Sequence, residues 1–104
     1  MNEWTESQIY ENVKSVLVAA LEANPEAIQP QALIITDLGA ESIDLLDITF
    51  RLEKIFHIKI PEQYLSTESG GIGEGKNVAE ILNVQLLVDF VKQMLKETGI
   101  RISQ

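Results

Sequence analysis

The sequence predicts an all-α fold: a four-helix bundle of three main helices and one short third helix, with a glycine-rich loop before the short one. Three observations carry this. Apolar residues recur at helical spacing in three long segments, residues that cap helices stand at their starts, and no segment shows sustained two-residue alternation. At 104 residues and 45% hydrophobic content, the chain predicts a single domain spanning 1–104, with a core large enough to need no covalent staples.

The first helix opens on a capping box from Thr5 to Gln8, in which hydroxyl and side-chain amide each cover an orphan backbone N–H. Ile9, Val13, Val16, Leu17, Ala20 and Leu21 then form one stripe, and Asn24-Pro25 is its predicted end because the residue before proline is pushed out of the α region. From Glu26 to Gly39 no clean period exists, and the scattered Leu33, Ile34, Ile35 and Leu38 predict an ordered loop tacked onto the core. The second helix is predicted over Ile43–Phe56, with Leu45, Ile48, Leu52, Ile55 and Phe56 facing inward. Ile43, Leu46 and Phe50 form a second apolar line on it, which means either deep burial or an exposed docking strip. Asn77 is placed as the cap of a short third helix through Leu82, with Glu62–Leu65 as the alternative. Asn83 caps a final helix carrying Val84, Leu87, Val88, Val91, Met94 and Leu95 on one face, and Gly99 stops it.

Composition excludes much. There is no cysteine and one histidine, His57, so disulfides, thiolate or His-rich metal sites and cysteine nucleophiles are all ruled out. Sixteen acids against eight bases give 8 − 16 = −8, a charge that disfavours nucleic acid and anionic membranes and favours basic partners. The N-terminus MNEWTESQIY lacks the basic and apolar regions of a signal peptide. The longest apolar run, Val16 to Leu21, falls far short of the ~20 residues a membrane helix needs. These features predict a cytoplasmic protein.

Gly70 to Lys76 reads GGIGEGK, most of a phosphate-binding loop, but Asn77 stands where that motif needs Ser or Thr. No buried strand precedes it, so it reads as a loop without nucleotide. His57 is isolated, and around Ser42 the chain reads Gly39-Ala40-Glu41-Ser42-Ile43 and not G-x-S-x-G. Asp44 and Asp47 read as a solvated acidic face, not an acid–base pair. No catalytic residue is assigned. What stays unusual is Ser42 at the start of the second helix, among Asp37, Glu41, Asp44 and Asp47.

Asp37-Leu38-Gly39-Ala40-Glu41-Ser42-Ile43, continued through Asp44, Leu45, Leu52-Glu53, Phe56 and Ile60-Pro61, resembles the signature of the acyl carrier proteins. The resemblance covers most of the chain. It implies that Ser42 carries 4′-phosphopantetheine, attached through the hydroxyl by a magnesium-dependent phosphopantetheinyl transferase (holo-carrier synthase). It also implies a monomeric four-helix carrier that holds acyl groups as thioesters, in fatty-acid and lipid metabolism or a specialised acyl pathway. Glu41, Asp44, Asp47 and Glu53 match acids displayed to basic patches on acyl-transferring and acyl-modifying enzymes, and Ile43, Leu46 and Phe50 match the apolar contacts beside them. The runners-up are a peptidyl or aminoacyl carrier and an unmodified acidic helical adaptor. Glu41 for the common Asp and Ile43 for the common Leu depart conservatively from the family pattern, and two further departures are larger. Lys54 is a cation where many members have an acid, and the stretch between Pro61 and Asn83 is longer than usual by roughly a dozen residues.

Overall fold

A computed structural model describes residues 3–60 and 78–103. Its order is strand β1 (Glu3–Thr5), helix α1 (Glu6–Leu21), a 3-10 turn (Pro25–Ala27), α2 (Ser42–Phe56), the short α3 (Val78–Ile81), α4 (Val84–Glu97) and strand β2 (Arg101–Ser103). The fold is mostly helical, with three long helices, as periodicity predicts.

The α1 capping box forms as read. Thr5 Oγ1 accepts the Gln8 N–H, and Gln8 Oε1 accepts the Thr5 N–H, both at 3.0 Å. Ile9, Val13, Val16 and Leu17 are its buried stripe. The predicted end at Asn24-Pro25 is too late. The helix stops at Leu21, because Glu22 adopts the left-handed conformation (φ 52°), and the Ala23 N–H turns back to Val18 O at 3.2 Å. Asn24 instead caps the 3-10 turn, its Oδ1 accepting from Glu26 N–H at 2.9 Å.

The loop from 28 to 40 is indeed ordered, with Ile28, Ala32, Ile34 and Ala40 buried. Its backbone is stitched to Leu82 and to the first residues of α4. Ile34 N–H donates to Leu82 O at 2.9 Å, Val84 N–H to Ala32 O at 3.0 Å, and Gln85 N–H to Pro30 O at 2.9 Å. That stitching holds the entry to α2 against the body of the molecule.

Leu45, Ile48, Leu52 and Phe56 of α2 meet the α1 stripe and the Val84, Leu87, Val88, Val91 and Leu95 face of α4 in one core cluster. Thr49 lies in that core too, its hydroxyl donating to Leu45 O at 2.9 Å. The core therefore takes a polar residue at no hydrogen-bonding cost. Ile58 and Ile60, too short a run to assign from sequence, are buried without forming a strand. His57 ends α2 in the left-handed conformation, φ 57°, and Gly99, φ 86°, follows α4 as predicted.

The all-α expectation needs one correction. β1 and β2 pair in parallel, with Glu3 opposite Arg101, Trp4 opposite Ile102 and Thr5 opposite Ser103. Strands of three residues show no periodicity to read, and this pairing joins opposite ends of the chain. Two contacts reinforce it. The Trp4 ring packs on Phe56 with centroids 4.7 Å apart, and Lys92 Nζ meets Glu6 Oε1 at 3.0 Å across α4 and α1. A short helix does stand before Leu82. Its predicted cap Asn77, the alternative Glu62–Leu65 and the Gly70–Lys76 loop lie outside the described residues.

Candidate functional site

Gly39 adopts φ 79°, a conformation an L side chain resists, and it turns the chain from the loop into α2. Just before it, Asp37 Oδ2 accepts the Leu33 N–H at 2.8 Å. Asp37, Leu38, Gly39 and Ala40 N–H groups donate back to carbonyls of Leu33, Ile35 and Ile34. The Asp-Leu-Gly-Ala run is thus a tight turn, anchored by buried Ala40, that delivers the next residue at the helix start.

That next residue settles the serine's local role. The N-cap is Glu41, not Ser42, and its N–H donates to the Asp44 carboxylate at 2.9 Å. Ser42 is the first helical residue and is exposed. Among the described residues its hydroxyl makes no hydrogen bond, and neither its own N–H nor that of Ile43 has a partner. A helix start with open N–H groups and an uncommitted hydroxyl suits a phosphate ester. The carboxylates of Glu41 and Asp44 flank it and disfavour a freely bound phosphate, but a covalent ester does not depend on that affinity. The residues present fit a phosphopantetheine arm on this oxygen.

The two open alternatives for the second apolar line are now decided. Ile43 is 73% exposed, Phe50 53% and Leu46 41%, so the line is a surface strip. The acids beside it are held by short local contacts. Asp44 accepts from Glu41 N–H, Asp47 Oδ1 pairs with Arg51 Nε at 3.1 Å, and Glu53 Oε2 accepts the Ile60 N–H at 2.7 Å. Glu53 is therefore turned toward the exit of its own helix, which residue identity alone did not reveal. Glu41, Ile43, Asp44, Leu46, Asp47 and Phe50 otherwise lie together along the outward side of α2, while Leu45, Ile48 and Thr49 between them are buried. Among the described residues no group of histidine and carboxylate side chains could hold a metal ion, and no helix is long and apolar enough to cross a membrane.

Comparison with known proteins matches residues 11–69 to the family described as "Phosphopantetheine attachment site". The chain is 36% identical to an acyl carrier protein of Wolinella succinogenes over 55 residues, covering 53% of this chain and 72% of that protein. This chain belongs to the acyl carrier protein family. An acyl carrier protein of Campylobacter concisus is 26% identical over 88 residues, 85% of this chain and 97% of that one. The acyl carrier protein AcpXL of Brucella melitensis is 36% identical over 70 residues, covering 67% and 72% respectively. As a member the chain is a phosphopantetheine-bearing carrier, not a catalyst. The chemistry such a chain needs is supplied by its cofactor and by the enzymes that act on it.

Proposed function

We propose that Ser42 is the attachment point, and that the arm there holds an acyl group as a thioester for partner enzymes. The observation that supports this most directly is the free, exposed Ser42 hydroxyl at a helix start already capped by Glu41 and Asp44. When bound, the group supplies the thiol that this cysteine-free chain lacks. The residues around it position and expose. Gly39 sets the turn, Ala40 anchors it, and the open N–H groups of Ser42 and Ile43 would be available to the phosphodiester. The finer architecture in this reading is the family's four-helix bundle in a single domain, monomeric and cytoplasmic, with α3 as its short third helix.

The experiment is the intact mass after incubation with coenzyme A, magnesium and a broad-specificity phosphopantetheinyl transferase. The expected result is a gain of one phosphopantetheinyl group in the native chain and none in Ser42→Ala. No gain in either would leave the acidic helical adaptor as the reading to pursue.

Partner enzymes with basic patches dock on Glu41, Asp44 and Asp47 with Ile43, Leu46 and Phe50 beside them, while Glu53 adds charge at the far end of the helix. Charge across such a surface acts mainly on encounter rate and orientation. Asp44→Lys with Asp47→Lys is expected to lower the transferase's kcat/KM by about tenfold at low salt. That difference should shrink at ~1 M salt, where the Debye length falls to ~3 Å. Unchanged kcat/KM at low salt would sink the docking surface.

A further inference from the structure

A groove of about 280 Å³ runs between α1 and α2, beyond the far end of the Ser42 strip. Val16, Ala19 and Ile55 make its floor, and Ser15, Arg51 and Lys54 complete its lining. The chain carries a net charge of −8, yet both charged residues of this lining are cations. Among the described residues Lys54 makes no hydrogen bond or ion pair. Arg51 gives its Nε to Asp47 and has a side chain 44% exposed, leaving the other guanidinium N–H groups to donate elsewhere. Positions 51 and 54 are neighbours on one helix face.

We propose that this groove is a second contact for partner proteins, filled by an acidic amphipathic segment of the partner. One carboxylate of that segment lies between Arg51 and Lys54, and an adjacent apolar side chain rests on Val16, Ala19 and Ile55. The inference rests on the reading above, that α2 is the face shown to partner enzymes. Charge complementarity selects the occupant. An extended polyanion such as nucleic acid or an anionic bilayer would meet the surrounding acids, and a small free anion would leave the apolar floor uncovered. An acidic and apolar protein segment satisfies both halves of the groove.

The consequence is a charge reversal along one helix: Glu41, Asp44 and Asp47 first, Arg51 and Lys54 after. A partner must then offer cations near Ser42 and a carboxylate about three turns further on, since a turn takes ~3.6 residues. A uniformly basic surface, matched to the first half, meets repulsion at the second. That is discrimination by an unfavourable contact as well as a favourable one.

The test uses ¹⁵N-labelled protein already loaded at Ser42 and verified by mass. The probe is a blocked synthetic helical peptide with Glu and Leu at i and i+4 on one face, alongside the same peptide with Gln for Glu. Expected are saturable amide shifts at Ser15, Ala19, Arg51 and Ile55, with affinity at least ~3-fold lower for the Gln peptide and again at ~0.5 M salt. Arg51→Gln with Lys54→Gln should abolish them while the variant is still loaded by the transferase. Equal affinity for the two peptides overturns the proposal, as do shifts centred on Ile43, Leu46 and Phe50. Groove shifts that follow the chain's own concentration without peptide would put a second copy there and overturn it too. Failed loading of Ser42 would remove the carrier reading itself, whereas failed peptide binding on loaded protein removes only the groove contact.

Discussion

Helices α2 and α4 begin alike in sequence logic and differently in space. In α4 the cap is Asn83, whose Oδ1 accepts the Leu86 N–H at 2.7 Å. Its first helical residue is Val84, fully buried, and the N–H groups of Val84 and Gln85 go to Ala32 and Pro30 carbonyls. Every donor of that turn through Leu87 is used by the protein. In α2 the first helical residue is an exposed serine, and the donors of Ser42 and Ile43 are left open. One helix start is used for folding and the other is kept available. The capping work at α2 is moved to Glu41 and Asp44, which is what frees the serine.

This contrast can be broken by substitution. Leu87→Ala, which empties a fully buried position one turn into α4, should cost about 2–5 kcal/mol. Asn83→Ala, which strips the α4 cap, should cost about 1 kcal/mol. For a chain of this size each kcal/mol moves the melting temperature by roughly 4–8 °C, so thermal unfolding reads both. Ser42→Ala should change stability by no more than ~0.5 kcal/mol, although it removes all loading. A Ser42→Ala variant that melted as low as Asn83→Ala would show that the hydroxyl supports the fold, and the contrast between the two starts would fail.

The site was legible in sequence to the extent that it is local. Asp37 to Ile43 is a continuous run, and the reason for its glycine, a turn at φ 79°, follows from backbone sterics alone. The split of α2 into two apolar lines was equally visible, but a helical wheel does not say which line meets neighbours. Only the packing of α1 and α4 against Leu45, Ile48, Leu52 and Phe56 left Ile43, Leu46 and Phe50 outside. The end of α1 was misplaced because Pro25 is the louder signal, while the left-handed turn at Glu22 has no glycine to announce it.

By itself, then, the sequence determined the helical periods, the caps at Thr5 and Asn83, the Asp37–Ile43 run around Ser42 and the acidic balance. The first three depend on residues within a turn or two of one another, and the last on composition alone. Tertiary structure decided what joins distant parts of the chain. It paired β1 with β2, turned Glu53 onto Ile60, and satisfied the α4 donors from the Pro30–Ala32 loop. It also brought Ser15 and Ala19 of α1 beside Arg51 and Lys54 of α2. Short-range spacing encodes which face a helix offers; which neighbour accepts that face is fixed only when the whole core closes.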